Sequence, residues 1–221
     1  MQEIYSIVIL TIKICFLSTL ISSLISIPFG ISLGMGEKKT TKMFVNAFTG
    51  LPPVIAGVVV YLLFSNDGVF GKLSWLYTEK VIIIAQVLIV IPIITANIYP
   101  SIENMKKEYL LTCKGLRISK FRMNLQLIVE NKFQIISAII SGFGRSISEV
   151  GAVMIVGGNI RYKTRVLTSA IVLENNKGNY EMSIKLGIIL MIISFAVSFS
   201  AMIFSRRDYD KNKKNRSENK R

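Results

Sequence analysis

The chain has 221 residues, 51% of them hydrophobic and 18% charged, and its 27 Lys+Arg against 13 Asp+Glu give a net charge of +14. Its mean hydropathy of +0.51 is high for a soluble domain. The absence of histidine removes histidine-based triads, most zinc sites and the commonest general base, and no soluble basic domain exists to carry nucleic acid.

A crossing needs about 20 mostly apolar residues, and 14–33 is the first stretch to qualify. It opens with Glu3 rather than a basic run, so it reads as a retained helix and not a signal peptide. The apolar residues 4–12 before it either lie at the interface or lengthen the span. Ser18, Ser22, Ser26, Gly30 and Gly34 recur every fourth residue down one face. Small residues let helices approach closely in lipid, and the stripe fits either packing within one subunit or a seam between two.

The second stretch, 44–64, contains Pro52 and Pro53, and the third, 81–99, contains Pro92. Irregular backbone at membrane depth is tolerated where protein or a water-filled cavity satisfies it. The Gly50-Leu-Pro-Pro-Val54 segment therefore reads as part of a pathway-lining helix or as a simple kink. About thirty polar residues follow, longer than a turn requires. Within them Glu108 is expected to open a helical stretch, Gly115 to permit a sharp reversal, and Ile118, Phe121, Leu125 and Ile128 to form one side of a second amphipathic helix. Such a hairpin suits insertion into a groove on a soluble partner.

The fourth stretch, 133–156, carries Arg145 and Glu149, the one ionisable pair deep in a span. Charges at that depth face the protein interior or a path, and their i, i+4 spacing lets them neutralise one another. A buried structural pair and a guide for an anion both remain open. Ala138, Gly142 and Ser146 form a second small-residue stripe, and Gly144, Ser148 and Ala152 a third. The basic loop Arg161, Lys163, Arg165 then precedes some ten apolar residues, too few to span, which read as a re-entrant or interfacial helix. That loop fits contact with an anion or a binding protein, or a solvated loop. The fifth stretch is 182–204, and residues 205–221 look too polar to fold. Cys15 and Cys113 fall in a span and a loop, so no disulfide is expected.

Eighteen Lys/Arg fall on one set of loops and the tail, and seven on the opposite set. The excess of positive charge inside then places the N-terminus outside and the tail in the cytoplasm. The whole reads as an all-α membrane protein of about five transmembrane helices with a cytoplasmic coupling loop. Residues 1–204 form one membrane domain, followed by a basic tail, 205–221.

Two motifs carry a resemblance. Glu108…Gly115 followed by a helix resembles the coupling loop of type I ABC importer permeases, with Leu110 and Leu111 where small alanines are usual. Gly142-Phe-Gly-Arg-Ser-Ile-Ser-Glu-Val-Gly-Ala-Val-Met-Ile-Val-Gly-Gly-Asn159 is similar to the signature of the molybdate/tungstate branch, closest to tungstate-type permeases; Gly50–Tyr61 and Ala85-Gln86 agree. The resemblance implies the type I permease fold in a prokaryotic cell membrane. It further implies a second copy of the chain, surrounding lipid, an extracytoplasmic oxyanion-binding protein and separate ATPase subunits. It implies ATPase contact at Glu108, Leu111, Gly115, Ser119 and Phe121, and a translocation path or gate at Arg145, Ser148, Glu149 and Gly151. Asn159, Arg161, Lys163 and Arg165 become the outer loop. The only Gly-Lys pair, Gly71-Lys72, lacks a phosphate-binding loop around it, so ATP and Mg are expected on the partner subunit, with no cofactor, metal or catalytic residue here. The rivals are molybdate or sulfate import, and a channel or scaffold that needs no ATPase.

Overall fold

The structure is a computed structural model that describes the backbone of residues 2–115 and 119–218, without the side chains of 107–115, 120, 121, 201 and 203–218. Helix α1 runs unbroken from Gln2–Met35, with Pro28 inside. At about 1.5 Å per residue it is longer than the ~30 Å hydrocarbon core, and residues 4–12 continue the same helix. Its stripe of Ser18, Ser22, Ser26, Gly30 and Gly34 is buried. A Cβ on Gly34 would fall 2.6 Å from the Cβ of Ile102, and one on Gly30 would fall 3.1 Å from that of Ile98. The stripe is thus the seam between α1 and helix α4 (Glu79–Gly115) of the same chain.

The second stretch is not one rod. Helix α2 (Lys39–Thr49) and helix α3 (Pro53–Phe64) meet at 98°. Pro52 is extended, as proline-preceding residues prefer, and Pro53 starts α3 at the position where a missing N–H costs least. Val45 of α2 is buried, and Lys42 and Asn46 reach α4 at Glu103 (2.6 Å) and the Tyr99 hydroxyl (2.8 Å). Beyond α3, Phe64 stacks on Trp75 with ring centroids 6.0 Å apart, closing the connection to α4.

Helix α4 carries Pro92 and Pro100 without ending at either. It runs through the expected loop as far as Gly115, so Glu108 lies late in one continuous helix and not at the positive end of a new one. Ser119 caps helix α5 (Lys120–Glu130), accepting the Arg122 N–H at 3.5 Å. One helix thus ends at Gly115 and the next begins at Lys120, and the turn between them lies outside the described residues; among the described side chains of α5, Leu127 is buried and Leu125 exposed. Ile118 lies outside the described residues. Asn131, buried between α5 and helix α6 (Lys132–Ile147), accepts from Ser101 on α4 at 2.8 Å and donates to the Leu127 carbonyl at 2.9 Å. That bond pair pins the α5–α6 corner to α4.

Helix α6 and helix α7 (Gly151–Gly157) are bent by 60°. Helix α8 (Leu167–Asn176) is the short apolar helix expected after the basic loop, and helix α9 (Tyr180–Glu218) completes the chain. The backbone of α9 continues past the span into the tail that its polarity marked as unfolded; Lys, Arg and Glu have good helix propensity, and extension from an existing helix is cheap. Helices α1, α4 and α9 are long and apolar enough to cross a membrane, and counting each bent pair as one span gives up to five. The two largest apolar clusters among the described residues fill the middle of the helix assembly. One gathers Ile14, Val60, Ile82 and Val153, the other Ile31, Ile94, Ile102, Leu127 and Ile135.

Candidate functional site

Where α6 breaks, Arg145 donates to Glu149 Oε2 at 2.9 Å, so the expected pair forms across the break and not along a straight helix. The Glu149 side chain is 3% exposed and that of Arg145 31%. The other carboxylate oxygen, Oε1, accepts the Ala152 N–H at 3.1 Å in the first turn of α7, where a negative charge suits free amides. Its carbonyl accepts from the Thr168 hydroxyl on α8 at 2.8 Å. Gly151 is closely approached by α3: a Cβ there would lie 2.7 Å from Val54 Cγ2. Gly57 on α3 faces Ala152, whose Cα would be 2.7 Å from an added Cβ.

Helix α6 has two different polar sides. Ala138, Gly142 and Ser146 are buried, with a Cβ on Gly142 only 2.7 Å from Ile94 Cγ1, so this stripe packs on α4. On the opposite side Ser141 and Ser148 are exposed and Gly144 and Arg145 half-buried, while a Cβ on Gly144 would meet only Val197, at 3.9 Å. Hydroxyls and a guanidinium at span depth suit water or protein, not acyl chains. The third stripe does not exist as one face, because the break separates Ser148 from Ala152.

A buried polar knot escaped the sequence reading. Gln86 Oε1 accepts from Ser18 and Ser146, each at 2.8 Å, and Gln86 Nε2 donates to the Ser146 carbonyl at 3.3 Å. It joins α1, α4 and α6 at one point. The available signal was a lone glutamine in an apolar span, which needs partners there.

The basic loop is internally paired. Arg161 grips Glu3 with Nε and Nη2 at 2.9 and 2.5 Å, and Arg165 Nη1 donates to Glu3 at 3.1 Å. Asn159 donates to the Ser169 carbonyl at 3.3 Å and accepts from the Ser169 hydroxyl at 3.0 Å. Lys163 is exposed and has no ion pair among the described residues. Two of the three cations are therefore engaged with Glu3. At the other end, Gly115 closes α4 and Ser119 caps α5; the side chains of Glu108, Leu111 and Phe121 lie outside the described residues.

Up to five candidate spans, two of them broken, mark a multi-pass membrane protein. The chain belongs to the binding-protein-dependent transport system inner membrane component family, which matches residues 26–207. It is 37% identical over 209 residues to the tungstate uptake system permease protein TupB of Peptoclostridium acidaminophilum, covering 93% of this chain and 91% of that one. It is 38% identical over 162 residues to the TupB of Campylobacter jejuni (73% and 68%) and 26% identical over 159 residues to the sulfate transport system permease protein CysT of Escherichia coli (68% and 57%).

Proposed function

We propose that this chain is the permease subunit of an ATP-driven tungstate importer. The observation that carries the reading is the likeness to tungstate uptake permeases over 93% of the chain. The polar side of α6 supports it, because an oxyanion needs hydroxyl donors and a positive potential at membrane depth. In this reading Arg145 supplies the potential, Ser148 lines the path, and Glu149 and Gly151 hold the break at which the helices reorient. One copy leaves the Ser141–Arg145–Ser148 side uncovered, so a second copy encloses the path. The N-terminus is outside and the tail cytoplasmic, in keeping with the Lys/Arg distribution. Glu108, Leu111, Gly115, Ser119 and Phe121 then meet the ATPase, which binds ATP and Mg, while Asn159, Arg161, Lys163 and Arg165 lie towards an extracytoplasmic binding protein. The chain itself has no ATP site.

The reading is tested by uptake of radiolabelled tungstate into vesicles holding the permease with its ATPase and binding protein. ATP-dependent uptake should fall with added cold tungstate more than with molybdate or sulfate. Stronger competition by sulfate would favour the sulfate branch, which the CysT likeness brings into view, and uptake without ATPase would indicate a channel.

A further inference from the structure

Residues 2–25 precede the segment matched by the family, yet this end of α1 is tied to the 159–170 segment by three different interactions. Glu3 holds Arg161 and Arg165. Ile7 is buried with Leu167, Ala170 and Leu186. Thr11 Oγ1 accepts the Leu167 N–H at 2.9 Å, at the first residue of α8, while donating to the Ile7 carbonyl at 2.7 Å. Residues 3, 7 and 11 lie at i, i+4 and i+8, one face of a helix.

Ile7 and Thr11 suffice to dock α8 on α1. The carboxylate does something else: it reaches the loop before α8. In that loop Asn159 and Tyr162 hold φ of 51° and 61°, left-handed conformations that non-glycine residues adopt only when neighbours enforce them. Arg165 is 15% exposed, its Nη2 also meets the Asn159 carbonyl at 3.5 Å, and Glu174 lies within its electrostatic reach. The Arg165 Nε has no hydrogen-bond partner among the described residues, so Glu3 is the carboxylate that holds this guanidinium directly.

We propose that Glu3 is a positioning residue for transport. It acts through Arg161 and Arg165 to fix the 159–165 loop in the shape that the loaded binding protein meets, leaving Lys163 and Tyr162 as the outward-facing groups. This rests on the outer placement of the loop argued above. The pairing is electrostatic and orienting, so charge and not packing is what it requires.

The experiment uses the whole transporter in vesicles, with radiolabelled tungstate uptake measured against the concentration of loaded binding protein. Glu3→Gln should raise the half-saturating concentration about three- to tenfold, the range two partly screened ion pairs supply, with the maximal rate unchanged. Glu3→Asp, which keeps the negative charge that both arginines share, should stay closer to wild type than Glu3→Gln. If Glu3→Gln fails to reach the membrane, Arg161→Gln, which removes only the exposed pair, carries the same measurement. An unchanged half-saturating concentration overturns the proposal, as does a loss confined to the maximal rate. Labelling of Lys163→Cys in a background lacking Cys15 and Cys113 separates the two readings. Modification from outside with unchanged saturation rejects the role of Glu3 alone; modification only from the cytoplasmic side rejects the outer placement as well.

Discussion

The Glu149 side chain engages Arg145 and the start of α7 at the same time, while its backbone carbonyl holds Thr168 of α8, so removing the side chain mixes two effects. Removing Arg145 alone strands a carboxylate that is 3% exposed, and breaking a buried pair typically costs about 3–5 kcal/mol. Removing Glu149 strands a guanidinium that keeps some solvent, which costs less, but it also takes the acceptor from the Ala152 N–H, worth about 1 kcal/mol. Glutamine at 149 keeps an acceptor for the Ala152 N–H. Arg145→Leu/Glu149→Gln should therefore recover membrane yield relative to Arg145→Leu while tungstate uptake stays lost. Full uptake by the double variant, measured beside yield, would reduce the pair to a structural role. The presence of this pair was legible, because two charges in 24 otherwise uncharged residues require a reason. Its position across a helix break was not: Ser148-Glu149-Val150 contains no proline, and the break depends on contacts with α3 and α8 that lie far away in the chain.

Among the elements, the small-residue stripes show what a one-dimensional reading can and cannot reach. The period at Ser18–Gly34 shows that something packs closely there; it does not say whether the partner is another subunit or the same chain. The structure assigns that partner to α4. Pro52 and Pro53 mark a bend in the second stretch, and the chain turns there by 98°, more sharply than the sequence signals. The continuation of α4 to Gly115 was hidden because polar residues after 100 end the hydropathy signal without ending the helix. The α3–α7 contact offers a sharp test. Gly57→Ala places a methyl 2.7 Å from the Ala152 Cα, a backbone atom that cannot rotate away, and overpacking of this kind costs about 1–3 kcal/mol. The variant should lose thermal stability in detergent by that amount, whereas Gly187→Ala, with nothing within 4 Å of the added Cβ, should not. Equal stability of the two variants would mean that α3 and α7 do not touch as described.

At the scale of the whole molecule, the orientation is the assumption on which the functional reading turns. Single cysteines at Asn66 and Asn179 should react with a membrane-impermeant reagent from outside, and one at Ser119 should not. External reaction at Ser119 would move the α4–α5 hairpin to the wrong side for any ATPase. The five-fold repetition of apolar stretches made the membrane class legible from composition alone. The bond pair at Asn131 was not, although it matters to the proposed mechanism: a force applied to α5 passes through that corner to α6, and through Glu149 to α7 and α8.

The seam between α1 and α4 also has a consequence for biosynthesis. Ser18 and Gln86 are 68 residues apart, so at about 5–20 residues per second the serine face leaves the ribosome roughly 3–14 seconds before its partner. During that wait it is in or beside lipid with no helix against it. Ser22 and Ser23 donate to carbonyls one turn back, Ser18 and Thr19, at 2.7 and 2.6 Å, and Thr11 does the same to Ile7. These bonds lie within α1 and need no neighbour. Most of the buried α1 hydroxyls are thus satisfied locally from the moment of insertion, and Ser26, which donates to the Ile91 carbonyl at 3.0 Å, gains its partner when α4 arrives to cover the seam.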